Sequence, residues 1–350
     1  MQIVNVLVMA PNLGRDLSFI SDVAPHVRVL DGNDAFAAEL QAEGSRTLAG
    51  ERSFGTLPSL EERNALLAQA DVLLISGPVL KNIASRAPRL QWMHHTLAGV
   101  SNIWRSDVWD SQITLTSSRG FVSPTSIAQY VITAALFFAR GLYDAYLDKG
   151  AGVLDRSHYQ TTRLESTTMG VVGLGGIGKE VARLARALSM RVVATRRSVE
   201  SPQENVDGAD LLLPANRLGE LAAQSDFLAI CAALTDETKG LINREVFRAM
   251  KPSAVLINVS RGEVVDEDDL IDALRSGHIR GAVMDVYQGE LGGGQPRHEL
   301  MELPQVFVTS HVSATGSDFA DAVRKLFREN LRRFLNDEPM MNVVDRERGY

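Results

Sequence analysis

Three polar side chains in the second half of this sequence stand just past the carboxyl ends of apolar runs. "AVLINVSRG" leads into Arg261, "GAVMDVYQGE" carries Glu290 in its trailing loop, and "VFVTSH" closes on His311. In an open α/β sheet, ligands bind beyond the carboxyl ends of the strands, so chemistry is sought at these positions. A guanidinium there can hold a carboxylate and polarise a neighbouring carbonyl. An imidazole titrates near neutrality and so gives or takes a proton at a hydroxyl or keto oxygen. A carboxylate beside the ring orients it and favours its charged form. Together the three suit interconversion of a hydroxyl and a carbonyl next to a redox-active ring. Each also has a plainer role open to it. Arg261 could cap backbone carbonyls, Glu290 could be a solvated carboxylate, and His311 is one of seven histidines, of which His298 is the nearest rival but follows no strand.

A glycine pattern points to a dinucleotide as the source of that ring. "VVGLGGIGKEVARLARAL" places Gly173, Gly175 and Gly178 in G-x-G-x-x-G spacing between an apolar strand and a helix. Gly173 permits the tight turn, Gly175 lets backbone approach a pyrophosphate, and Gly178 lets the helix pack close to the strand. Gly176 and Ile177 open the helix, whose N-terminal amides then face the phosphates. The next strand ends in "RVVATRRS", with Arg196 eighteen residues past Gly178. Dinucleotide folds usually place a carboxylate there, to accept hydrogen bonds from the adenosine ribose. A carboxylate would repel a 2′-phosphate, whereas the guanidiniums of Arg196 and Arg197 can bind it. The sequence therefore predicts NADP(H) as the preferred cofactor, with NAD(H) possible. The other reading of the pair is two solvated charges at a strand end.

These residues need a scaffold, and the apolar pattern supplies one. Short strand-like runs alternate with helical patterns almost from end to end, the signature of parallel βαβ units. In the first third they lie at 3–8, 27–30, 71–76, 90–95 and 113–117, with a helix over 57–70. A long helical pattern follows, capped by Ser123 and Pro124 and stopped at Gly150. Strands resume at 168 and recur at 226–231, 254–259, 281–286 and 306–310, before an amphipathic helix over 318–336. No Pro/Gly/Ser linker marks a domain boundary.

At 350 residues the chain is long enough for two cores. A net charge of −7 argues against nucleic acid or an anionic membrane as the main partner. A single cysteine, Cys231, fits a reducing cytoplasm. The opening "MQIVNVLVMA" has no basic region and reads as a first strand, and neither a signal peptide nor an added regulatory domain is expected. No metal site is expected.

"GVVGLGGIGKEVARLARAL", "INVSRGEVVDEDDLIDALRSGHIRGAVMDVYQGE" and "VFVTSHVSA", with "LQWMHHTLAGVSNI" in the first third, together resemble the D-isomer-specific 2-hydroxyacid dehydrogenases, of glyoxylate/hydroxypyruvate reductase type. The resemblance implies an α/β fold of two Rossmann-like, doubly wound parallel-sheet domains with an active-site cleft between them. It implies a substrate-binding domain of 1–117 plus 313–350 and a dinucleotide-binding domain of 118–312. It implies catalytic Arg261, Glu290 and His311, and assigns Asp285 and the backbone at Val259 to the nicotinamide carboxamide. Backbone amides around Ala98 and Gly99 would join Arg261 in holding the substrate carboxylate. Members commonly form homodimers, with the long helix from 124 near the interface, although its apolar stretch 131–139 could equally be core.

The chain departs from the family pattern at several places. Gln129 stands where Glu is usual, Leu291 follows Glu290 where Pro is usual, and glycines fill 292–294. Ser310 precedes His311 in place of Pro, and Ala314 replaces a glycine. The expected activity is transfer of a hydride between NADP(H) and a small 2-oxoacid or D-2-hydroxyacid. A second reading is an NAD(P)-sensing binding protein or corepressor on the same scaffold, and a third is formate or phosphite oxidation. Trp92, His94 and His95 either tune the substrate pocket or simply pack.

Overall fold

The computed structural model describes residues 2–43, 58–121, 124–153, 155–290, 293–316 and 319–349. Its chain separates into two compact units, one of Met1–Val122, Leu291–Gly294 and Gly316–Tyr350, the other of Ser123–Glu290 and Gln295–Thr315. The divisions thus fall a few residues beyond 117 and 312.

In the first unit, strands β1 (Val4–Met9), β2 (Val27–Asp31), β3 (Val72–Ile75), β4 (Trp92–His95) and β5 (Thr114–Ser117) form a parallel sheet in the order β2-β1-β3-β4-β5. Alternate side chains point to opposite faces, so both faces need cover. Leu7, Met9, Leu73 and Ile75 pack into one core, whereas Val6, Val8, Val72 and Leu74 pack into another with Phe327 and Leu331. The closing helix Phe319–Leu335 thereby belongs to the first unit. Trp92 and His94 lie fully buried on that face, Trp92 stacked on Phe327 at 5.0 Å. Packing is therefore what these two do. The helix of the first third runs Leu60–Gln69, with Ser59 and Glu62 closing a capping box; residue 57, its predicted start, lies outside the described residues.

The second unit carries β6 (Thr168–Val172), β7 (Arg191–Arg196), β8 (Gln203–Val206), β9 (Ala209–Pro214), β10 (Phe227–Ile230), β11 (Val255–Asn258), β12 (Gly281–Met284) and β13 (Val306–Val308). Their order is β13-β12-β11-β10-β6-β7-β9-β8, parallel except for the β8–β9 hairpin. The order reverses direction at β6, between β10 and β7, which is the switch point where such sheets bind ligands. Met169, Val171, Ala229 and Ile257 feed one face, while Val172, Leu228, Ile230 and Leu256 feed the other. The hairpin was not foreseen, although it turns on Asp207–Gly208, both at positive φ as a two-residue turn demands.

The long helix predicted from 124 is two helices, Pro124–Ala139 and Leu142–Ala151, bent by 67°. Gly141 takes φ +68° between them, a conformation that stops an α-helix. The second helix runs through Gly150 and ends at Gly152. Residue 123, the predicted cap, lies outside the described residues. Most of the apolar stretch 131–139 is buried core, including Val131, Ala135 and Phe138.

Candidate active site

β11, β12 and β13 lie side by side, so Arg261, Glu290 and His311 leave the same end of three neighbouring strands. His311 Nδ1 is 2.9 Å from Glu290 Oε1. The Glu290 side chain is almost fully buried, whereas the imidazole keeps about a quarter of its surface exposed. Engagement of Nδ1 leaves Nε2 as the ring nitrogen for a substrate.

Three consecutive amides hold the imidazole in place. His311 N donates to the Asp285 carbonyl at 2.9 Å, Val312 N to Asp285 Oδ1 at 2.8 Å, and Ser313 N to Asp285 Oδ2 at 2.9 Å. The chain closes around this fully buried carboxylate only because His311 adopts φ +53°, a left-handed conformation unusual for a side-chain-bearing residue. Thr309 Oγ1 adds a donor to Oδ1 at 2.6 Å, and the Tyr130 hydroxyl lies 2.6 Å from that threonine oxygen. Burial pushes the Tyr130 phenol up to about 12, so it stays a neutral hydroxyl. Three of the four acceptor positions of the Asp285 carboxylate are thereby taken, leaving one on Oδ2.

Arg261 is half-buried after β11. Burial pushes its guanidinium below the usual value, and the charges of Glu290 and Glu263 oppose that, so the cation persists beside two carboxylates. Asn258 shapes the turn: its Nδ2 donates to the Arg261 carbonyl at 3.0 Å, and its Oδ1 accepts from Ser260 N and Oγ. Val259 is buried in this same turn.

The Arg261 turn and the Glu290 loop are locked together. A Cβ at Gly262 would lie 1.9 Å from the Tyr287 carbonyl carbon and 2.3 Å from Gln288 N, so only glycine lets the two backbones meet. Two glutamates then clamp the loop: Glu267 Oε1 accepts from Gln288 N at 2.7 Å, and Glu263 Oε1 accepts from Gly289 N at 3.2 Å. Burial pushes the Glu267 carboxyl above the usual range. Leu291 and residue 292, where the chain departs from the family pattern, lie outside the described residues. Sequence reading missed Tyr130, Glu263 and Glu267. A signal existed for one of them: Glu267 shares the helical stripe of Leu270, Ile271 and Leu274, all buried.

The glycine loop follows β6. Gly173 sits at φ +93°, where a Cβ would meet the Ala232 backbone at 2.9 Å, and Gly178 packs against the Gly173 carbonyl. Above Gly175 the space is open, and Gly176 and Ile177 begin the helix Gly176–Ala187. This is a cradle that backbone and helix terminus leave ready for a diphosphate. On its far side Arg196 Nε and Nη2 donate to the Leu174 carbonyl at 3.1 and 3.0 Å, and Nη2 also pairs with Asp207. Arg197 pairs with Glu237 at 3.1 Å. Ala98 and Gly99 are half-buried in the bend after β4 of the first unit.

A glycine cradle at the switch point, with an acid and an imidazole three and four strands along the same sheet, defines a dinucleotide-binding oxidoreductase fold. Similarity to known proteins narrows this to a family. Residues 132–313, just over half of the chain, match the family model described as "D-isomer specific 2-hydroxyacid dehydrogenase, NAD binding domain". A glyoxylate reductase of Thermococcus kodakarensis is 30% identical over 283 residues, covering 79% of this chain and 83% of that protein. A D-3-phosphoglycerate dehydrogenase of Methanocaldococcus jannaschii is 29% identical over 298 residues, covering 85% of this chain and 56% of that protein. The chain thus spans little more than half the length of the latter. A D-isomer specific 2-hydroxyacid dehydrogenase from Xanthobacter autotrophicus Py2, solved with NADPH and MES, is 25% identical over all of both chains with a TM-score of 0.76. The chain belongs to the D-isomer-specific 2-hydroxyacid dehydrogenase family.

Proposed function

We propose that this chain is an NADP(H)-linked reductase of small 2-oxoacids, producing the D-2-hydroxyacid. The observation that carries the reading is the His311–Glu290 pair at 2.9 Å, on a loop wrapped around Asp285. A nicotinamide cofactor held on the glycine cradle would supply the hydride that passes to the carbonyl carbon. Arg261 binds the substrate carboxylate and orients the carbonyl. His311 gives its Nε2 proton to the carbonyl oxygen as the hydroxyl forms, and Glu290 steadies the ring through Nδ1. The last acceptor position of Asp285 would accept from the carboxamide N–H of that cofactor, and the Val259 backbone would hold the same group. Arg196 at the end of β7, where a carboxylate is usual, supports preference for the 2′-phosphate, with Arg197 beside it. NAD(H) remains a poorer alternative. The assembly we propose is a cytoplasmic homodimer; exposed Leu142, Tyr146 and Leu147 on one helix support the pairing.

The test is nicotinamide consumption across glyoxylate, hydroxypyruvate and larger 2-oxoacids, with NADPH and NADH in parallel. Turnover with at least one 2-oxoacid and a kcat/KM favouring NADPH is expected. Tight NADPH binding with no consumption of any 2-oxoacid would instead mark a nucleotide sensor.

A further inference from the structure

The guanidinium proposed above to read the 2′-phosphate already has partners within the chain. Arg196 Nη2 pairs with the carboxylate of Asp207, and the same carboxylate accepts from Lys179 Nζ at 3.2 Å. Lys179 belongs to the first turn of the helix Gly176–Ala187, and Arg196 rests on the glycine-loop carbonyl of Leu174. Two cations of different elements therefore flank the cofactor cradle with one anion between them. The cluster is accessible: Arg196, Asp207 and Lys179 keep 25%, 32% and 49% of their side-chain surface exposed. Lys179 and Asp207 also line an open groove together with Gly176.

We propose that Asp207 is a specificity-determining residue, an internal anion that occupies the cations meant for the 2′-phosphate and so tempers the preference for NADP(H) over NAD(H). The inference rests on the NADP(H) reading above and deepens it. A bound 2′-phosphate brings up to two negative charges to Arg196. It meets a guanidinium already neutralised on one edge and a fixed carboxylate that repels it. A cofactor without that phosphate meets neither effect. Asp207 is held ionised by Arg196 and Lys179, which keep its carboxyl below the usual range. Its place is set by the hairpin rather than by the site: Asp207 and Gly208 form the turn joining β8 to β9, at φ +53° and +86°. That turn favours Asn-Gly at least as much as Asp-Gly, so Asp207→Asn removes the charge and preserves the backbone.

The experiment is calorimetric binding of adenosine 2′,5′-bisphosphate and of 5′-AMP to the full chain, as wild type and as Asp207→Asn, with thermal melts confirming that the fold is kept. Wild type is expected to prefer the bisphosphate. The variant is expected to bind it about tenfold more tightly, with affinity for 5′-AMP held within about twofold. Adding Lys179→Gln to the variant should return part of the gain, since the second cation is then lost. A wild type that does not prefer the bisphosphate refutes the NADP(H) reading itself, whatever the variant does. A wild type that prefers it, with a variant that binds it equally or more weakly, refutes the role of Asp207 alone.

Discussion

Gly262→Ala isolates the coupling between the Arg261 turn and the Glu290 loop. The added methyl carbon would lie 1.9 Å from the Tyr287 carbonyl carbon, 2.2 Å from its oxygen and 2.3 Å from Gln288 N. All three are backbone atoms, so no side chain can swing aside. Reaching an ordinary contact of 3.4 Å requires the two loops to part by about 1.5 Å. One side of that gap carries Arg261, and the other leads within three residues to Glu290. A 1 Å misplacement of reacting groups costs about 100-fold, so kcat/KM for 2-oxoacid reduction should fall by at least that much. Overpacking against backbone should also cost about 3 kcal/mol, seen as a drop of about 6 °C in Tm. Gly219→Ala is the control, because a Cβ there meets nothing within 4 Å. The assays are steady-state kinetics with NADPH and a thermal melt of both variants. A Gly262→Ala enzyme with kcat/KM within twofold of wild type and an unmoved Tm would refute the idea that this contact holds the two loops in register.

Asp285→Asn turns one acceptor oxygen into a donor facing amides, so it should cost about 1–3 kcal/mol in a denaturant melt; hydrogen exchange at Val312 and Ser313 should accelerate, and unchanged exchange would contradict the nest around the carboxylate. Burial, helped by the charge of His95, pushes His94 down from 6.5 to about 3, so the folded protein binds fewer protons there than the unfolded chain. Its contribution is complete above pH 6.5 and drains away as the pH falls toward 3, about 2 kcal/mol of it by pH 5. His94→Gln should flatten the acid limb of the stability profile, and an identical slope in the variant would count against this residue as its source.

Much of the site was legible because its residues obey rules that act along the chain. Glycine spacing marks the cradle, and a polar residue after an apolar run marks a strand end, so Gly173, Arg196, Arg261, Glu290 and His311 could be picked out from sequence. Their adjacency could not, because it depends on strand order: β11, β12 and β13 are neighbours only once the sheet is assembled. Asp285 shows a similar limit. The resemblance alone implied a ligand contact for it, and most of its hydrogen-bonding capacity goes to three groups between Thr309 and Ser313. The helix break at Gly141 was missed because apolar periodicity continues across it, and one positive φ overrides that pattern. The β8–β9 hairpin was missed for the opposite reason. Gln203–Val206 is too polar to read as a strand, and only Asp207–Gly208 announced the turn.

The most direct measurement is single-turnover reduction of a 2-oxoacid by NADPH in wild type and His311→Ala, with NADPH affinity determined in the same samples. Loss of the proton donor should slow the chemical step by about 1000-fold while leaving NADPH affinity within about twofold. A variant that binds NADPH normally and reduces substrate at the wild-type rate would contradict the account at its centre.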